Sequence, residues 1–155
     1  MMHKNILEIG IIADTHGTLP ASTLEIFKKT DLILHAGDID DENVLIKLRE
    51  ISSVLPVKGN MDSGKWANNL NITETLEIGG VSIYMLHNVE NLDLVPEGIF
   101  DIVISGHTHS PMSEKKDNVL FLNPGSASYP RANTNASVAL LYISENGIQA
   151  DLINL

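Results

Sequence analysis

The first half of the chain alternates apolar runs with amphipathic stretches, and the second half replaces that rhythm with closely spaced pairs of apolar runs. Ile6 to Ala13 is almost continuously apolar, the pattern of a strand covered on both faces. Pro20 to Lys29 reads as a helix, with Pro20 in its first turn and Leu24, Ile26 and Phe27 on its apolar stripe. Asp31 to Ala36 is a second buried strand. Asp40 or Asp41 can cap the next helix, whose core face carries Val44, Leu45, Leu48 and Ile51. Val54 to Lys58 is a short third strand. This β-α-β-α-β order predicts parallel strands joined by right-handed crossovers.

Beyond Ile72 the signals are those of hairpins. Ile72 to Ile78 and Val81 to Leu86 flank Gly79-Gly80, a strong two-residue turn. Met112 to Lys116 and Val119 to Asn123 straddle Asp117-Asn118, while Ser137 to Ser144 and Ile148 to Leu155 straddle Glu145-Asn146-Gly147. Asp101 to Ser105 stands alone as a fifth apolar strand. The predicted fold class is α/β, with two packed sheets and helices outside them. Neither a repeat nor a linker interrupts the chain, so residues 1–155 are expected to form one domain. Gly59 to Asn71 is the most polar loop and a natural rim for a pocket.

The apolar runs share an ending. Asp14-Thr15-His16, Gly37-Asp38, Gly59-Asn60, His87 and Gly106-His107-Thr108-His109 each place oxygen or nitrogen donors where a buried strand should open into a loop. Residues i and i+2 of a strand point the same way, so Asp14 and His16 can aim at one ion, and His107 and His109 repeat the spacing. Gly37 and Gly59 permit tight turns directly before Asp38 and Asn60. In open α/β sheets ligands gather at the carboxyl ends of strands, where all seven donors fall. Asp38, with two carboxylate oxygens, is the candidate bridge between two ions. Asp14, His16 and His109 complete a first site, and Asn60, His87 and His107 a second. Two ions roughly 3.5–4 Å apart can ionise a shared water and clamp the oxygens of an in-line displacement at phosphorus.

Charge narrows the partners. Ten basic residues against 20 acidic ones give a formal net charge of −10, and the basic residues come singly or in pairs. Extended nucleic acid, which is gripped by clustered Lys and Arg, is therefore disfavoured. A single phosphate could still be drawn to bound cations, often the largest local charges in a site. Cysteine is absent, so a metal must be held by His, Asp, Glu, Asn or backbone oxygens; such a set suits Mn²⁺, Fe, Zn²⁺, Ni²⁺ or Co²⁺ without choosing among them. No apolar run approaches the roughly 20 residues of a membrane-spanning helix. The segment Met1 to Ile12 lacks the pattern of a secretory signal, so a cytoplasmic location with no membrane partner is expected.

Asp14-x-His16, Gly37-Asp38, Gly59-Asn60, His87 and Gly106-His107-x-His109, in this order, resemble the calcineurin-like metallophosphoesterase superfamily. Gly59-Asn60-x-Asp62 and Asn123-Pro124-Gly125-Ser126 resemble its small single-domain phosphodiesterase branch. The resemblance runs from Ile9 to about Arg131. It implies a four-layer α/β/β/α sandwich, a dinuclear centre of two divalent ions, often Mn²⁺, the ligand set given above, and phosphoester hydrolysis. Two positions depart from the family pattern. Met61 stands where many relatives carry a His that assists the leaving group, and Asn88 follows the lone histidine where Gly is common.

Each candidate has a plainer reading. Asp14 and Asp38 could cap helices, Asn60 could favour a left-handed turn, and a lone His such as His87 is more often structural than a ligand. His35 is expected to face the sheet interior as a structural residue, and His3 belongs to the amino terminus. Asp62 either orients its loop neighbours or caps, and with Arg131, whose guanidinium suits phosphate, it is placed on the substrate side. Asn123 to Ser126 is expected to brace the histidine loops. Trp66 could stack on a leaving group or fill an interface.

The expected function is a metal-dependent phosphodiesterase acting on a small or activated diester through a hydroxide bridging two metal ions, with Asp38, Asn60 and His107 in the catalytic set. Met61 supplies no acid, so weakly basic leaving groups should be favoured. The rival activity is a phosphomonoesterase or nucleotidase; the rival class is a protein-interaction scaffold, the role of a retromer subunit of this fold. Ile148 to Leu155 could pair across a homo-oligomer or internally.

Overall fold

Six parallel strands, three in each of two sheets, carry the architecture of the chain. The computed structural model describes residues 5–155, and His3 lies outside the described residues. The elements in order are β1 (Ile6–Ile12), α1 (Ala21–Ile26), β2 (Leu32–His35), α2 (Glu42–Arg49), β3 (Val54–Pro56), β4 (Thr73–Ile78), β5 (Val81–Leu86), β6 (Ile102–Ile104), β7 (Met112–Lys116), β8 (Val119–Asn123), β9 (Ser137–Ser144) and β10 (Gly147–Asn154), with 3-10 turns at Ala67–Asn69 and Val89–Asn91. One sheet has the order β10-β9-β1-β2-β3 and the other β4-β5-β6-β8-β7. In the first, β1, β2 and β3 are parallel, and β9 joins antiparallel to β1. In the second, β5, β6 and β8 are parallel, flanked by antiparallel β4 and β7.

The inner faces of the sheets meet in one core. Ile9, Ile11 and Leu34 of the first sheet pack in the same cluster as Ile83, Met85, Ile102, Ile104 and Leu122 of the second, all at 0% exposure. Because side chains alternate along a strand, β1 also presents Ile12 to the outer face, where it clusters with Phe27 and with Val44, Leu45 and Leu48 of α2. β1 is thus covered on both sides, which accounts for its nearly continuous apolar run.

α2 forms where its caps and periodicity place it. Asp41 is its N-cap, accepting from the Asn43 backbone N–H at 2.9 Å, with Glu42 in the first turn and Lys47 and Arg49 in the last. Those charges complement the helix dipole, and the cap is worth about 1 kcal/mol. α1 is shorter than the Pro20-to-Lys29 stretch read from the sequence. Pro20 stands at its N-cap, and Thr30 claims the Phe27 carbonyl with both its backbone N–H at 3.0 Å and its hydroxyl at 2.7 Å, closing the helix early.

The predicted hairpins form. Gly79-Gly80 and Asp117-Asn118 both adopt positive φ at their two central residues, as the tight turn between twisted antiparallel strands requires. β10 pairs internally with β9 along its whole length, so the carboxyl-terminal run is used within the chain. The parallel centre of the second sheet was not legible as such, because no α-helix joins β5 to β6. The outer layer over that sheet is thin: the turn at Val89–Asn91 and the segment to Phe100 lay Val89, Leu92, Leu94 and Phe100 against Tyr84, Leu86 and Val103. Among the described residues no helix is long and apolar enough to cross a membrane.

Candidate metal centre

The carboxyl ends of all six parallel strands converge on one edge of the sandwich. β1 leads into Asp14, β2 into Asp38 and β3 into Asn60; β5 leads into His87, β6 into His107, and β8 ends at Asn123. Five of the predicted ligands, Asp14, His16, Asp38, His107 and His109, have φ between 46° and 71°. Non-glycine residues rarely occupy this region, and each such residue costs on the order of 1–3 kcal/mol of backbone strain. Two glycines make room for the resulting packing. A Cβ on Gly37 would lie 2.7 Å from His87 Nδ1, and one on Gly59 would collide with the Asp38 backbone and carboxylate.

Two groups of donors result. Ligand atoms of Asp14, His16 and His109 lie within 4.8 Å of one another, as do those of Asp38, His87 and His107. Asp38 Oδ2 stands between the groups, 3.2 Å from His87 Nε2 and 4.0 Å from His16 Nε2, while its Oδ1 accepts from the Met61 backbone N–H at 2.8 Å. Asn60 is exposed and lines, with His87 and His107, a cavity of about 420 Å³.

The imidazoles are oriented from behind. His87 Nδ1 donates to the Ala36 carbonyl at 2.7 Å, His109 Nδ1 donates to the Tyr129 carbonyl at 2.6 Å, and His16 Nδ1 lies 3.0 Å from Asp40 Oδ2. With Nδ1 of these three rings so engaged, their Nε2 atoms turn inward. His16 Nε2 and His109 Nε2 face each other at 3.1 Å, and Asp14 Oδ1 lies 3.5 Å from His109 Nε2. Asp14 Oδ1 and His87 Nε2 are buried without a hydrogen-bond partner. Inward-facing acceptors without donors are the environment that cations relieve, so this donor set fits divalent metal ions.

The electrostatics of the cluster carry the same message. Burial drives the Asp14 carboxyl above its ordinary range, against the pull of His87 and His109. Burial also opposes ionisation of Asp38, but the His87 ring 3.2 Å away and the Met61 N–H outweigh it and hold that carboxyl low. His87 is the complement: burial lowers it, and the Asp38 carboxylate beside Nε2 more than reverses this, raising it.

Loops around the centre are braced by residues the sequence placed elsewhere or overlooked. Asp62, 4% exposed, accepts backbone N–H bonds from Asp38, Ile39, Asp40 and Gly59 at 2.8 to 3.0 Å. Asp62, expected on the substrate side, lines the same cavity but has both oxygens committed to these N–H groups, and it ties the Asp38 and Asn60 loops together. Asn123 donates to the Gly106 carbonyl and to Thr108 Oγ1, and Ser126 donates to the Asp14 carbonyl. That segment braces the ligand loops as its motif suggested. Asp40 was read only as a capping alternative, yet it holds His16. Arg131 is exposed and donates through Nε to the Thr108 carbonyl, between the two histidines of that loop. Trp66 packs with Leu70 against the α2 side of the first sheet and lines a separate cavity of about 360 Å³, to which none of the seven predicted ligands contributes.

His35 is buried and structural. Its Nδ1 accepts the Gly37 N–H at 3.1 Å and its Nε2–H meets Thr15 Oγ1 at 3.1 Å, the hydroxyl donating on to the Ile39 carbonyl. Burial pushes the ring down to about 3, with a smaller contribution from neighbouring His87.

The model of the calcineurin-like phosphoesterase superfamily domain matches residues 7–146, and the chain belongs to that superfamily. It is 36% identical to "Probable metallophosphoesterase MJ0623" of Methanocaldococcus jannaschii, over 94% of this chain and 80% of that one. A solved structure described as a novel archaeal phosphodiesterase superposes with a TM-score of 0.81 at 25% identity, covering 96% of this chain and all (100%) of the other. Vps29 of Entamoeba histolytica, solved with Zn²⁺, shares the fold with a TM-score of 0.71 at 23% identity, over 96% and 99% of the two chains.

Proposed function

We propose that the chain is a metal-dependent phosphodiesterase acting on a small or activated phosphodiester. The observation that carries this reading is the opposition of His16 Nε2 and His109 Nε2 at 3.1 Å beside the undonated Asp14 Oδ1. In this reading Asp14, His16 and His109 hold one divalent ion, Asn60, His87 and His107 hold a second, and Asp38 is common to both. Mn²⁺ is the preferred occupant, and Zn²⁺, Ni²⁺, Fe or Co²⁺ is compatible with the same donors. When bound, such a pair supplies ionised water near neutral pH and neutralises charge at the phosphoryl group.

The residues divide the remaining work. Asp38 would be shared by both ions: its Oδ2 lies near His87 and His16, one from each donor group, while the Met61 N–H on Oδ1 fixes the orientation of the carboxylate. Asn60 and His107 line the cavity and orient the phosphoryl oxygens there. Arg131 keeps its terminal nitrogens without a protein partner among the described residues and can meet a phosphate oxygen. Asp62 acts by fixing the backbone that carries Asp38.

A diester is preferred over a monoester because the cavity is larger than one phosphate needs and because the solved archaeal relative is described as a phosphodiesterase. The test uses protein purified without chelator: metal analysis, then rates on matched mono- and diesters as Mn²⁺ is titrated. The diester should be hydrolysed faster, and Asp38→Asn should lose metal and activity together by more than about 100-fold. A faster monoester would favour the nucleotidase reading, and failure to take up Mn²⁺ would favour a scaffold of this fold.

A further inference from the structure

One cation stands in the wall of the cavity beside the proposed second metal position and takes no part in holding either ion. Lys58 lines that cavity together with Asn60, His87 and His107. Its backbone is fixed, because its N–H donates to the Asn71 carbonyl at 2.8 Å just beyond β3, which draws the segment from Asn71 to Thr73 to the same rim. The side chain is half-buried, and among the described residues no carboxylate pairs with it. In a chain of formal charge −10, an unpaired lysine in a cavity wall is a notable concentration of positive charge. The one carboxylate lining the same cavity, Asp62, has both oxygens committed to backbone N–H groups.

The rest of that wall is neutral. Asn88, Asn91 and Thr73 offer amides and a hydroxyl, and Ile72, 71% exposed, offers an apolar edge. A volume of about 420 Å³ admits a phosphoryl group and a further substituent of sugar size or so. The phosphoryl group itself would be met by the ions held by His87, His107 and Asp38. Lys58 is left for whatever the substrate carries beyond that group.

The geometry points to Lys58 as a specificity-determining residue that reads a second anionic group, such as a terminal phosphate, on an arm of the phosphodiester. The substrate class is then a diester whose one arm carries an additional phosphate, rather than a diester with two neutral arms. This inference takes its reaction from the phosphodiesterase reading, but the recognition it describes is a binding property and is measured as one.

The probes are two methyl propylphosphonates whose carbon-linked propyl arm ends in a hydroxyl or in a phosphate, titrated calorimetrically into Mn²⁺-loaded protein. Wild-type protein should bind the phosphate-ended probe about tenfold more tightly or better, the scale of one charge-assisted contact in a part-exposed site. Lys58→Gln should collapse that ratio towards one at unchanged metal content, and Lys58→Arg should keep it. A ratio near one in wild-type protein, or one that survives Lys58→Gln, would overturn the inference. The corresponding cleavable diesters separate the two readings. Retention of the Lys58-dependent ratio with no turnover of any diester would remove the phosphodiesterase reading and leave the anion site standing.

Discussion

Asp40 Oδ2 lies 3.0 Å from His16 Nδ1, joining the loop after β2 to the loop after β1. Two adjacent aspartates thereby serve different ends: Asp41 caps α2, and its neighbour turns an imidazole. A carboxylate behind a ligating histidine fixes its tautomer and raises its basicity. Asp40→Ala should weaken Mn²⁺ binding about 10- to 100-fold while helical content is retained. Metal titration followed by calorimetry, with circular dichroism alongside, measures both; unchanged affinity would remove Asp40 from any role at the centre.

Asp62 gathers four backbone N–H groups from two loops. An amide in its place presents one carbonyl oxygen and turns an NH₂ towards donors that need acceptors. Asp62→Asn should therefore cost about 3 kcal/mol of stability and depress metal affinity with it, read from urea unfolding and from Mn²⁺ titration. A variant as stable as wild type with normal affinity would show that the loops hold their course without this carboxylate.

His35 links stability to pH. Its folded-state value of about 3 lies below the ordinary 6.5, so the unfolded chain binds the extra proton first. Its contribution is whole above pH 6.5 and is lost as pH falls from there towards 3. At pH 5 the loss amounts to about 2 kcal/mol, a figure set by the unfolded value rather than by the folded one. In chelator, wild-type protein should lose about that much more stability between pH 7.5 and pH 5 than His35→Gln does. Parallel pH profiles for the two proteins would contradict a neutral, buried His35.

Met61 occupies a position open to solvent, 56% exposed, and offers no proton to a departing oxygen. General acid assistance is worth roughly 10²- to 10⁴-fold for basic leaving groups. Alkyl diesters should accordingly react at least about 100-fold more slowly than aryl diesters, and Met61→His should narrow the gap. Equal rates across a leaving-group series would mean that another group supplies the proton.

How far the sequence disclosed the centre depends on whether a residue's partner lies close to it along the chain. Asp14, His16, Asp38, His87, His107 and His109 could be picked out because each terminates an apolar run, and strand ends meet on one edge by topology. The hairpins at Gly79-Gly80 and Asp117-Asn118 were legible from the turn residues themselves. Asp40 and Asp62 were not, because what defines them is contact across 22 to 24 residues with groups that only the folded loops bring near. The parallel run β5-β6-β8 was hidden for a related reason: a coil crossover and an inserted hairpin separate strands that a helix would have announced. The orientation of the Asp38 carboxylate depends on the Met61 N–H, a backbone group with no signature in composition.

The donors come from both sheets, Asp14, His16, Asp38 and Asn60 from the first and His87, His107 and His109 from the second. Ions seated there would rivet the two slabs together at one end, and their departure would loosen that end before the remainder yields. The protein's resistance to heat should then rise with free Mn²⁺ concentration, making its melting temperature a gauge of the metal supply around it.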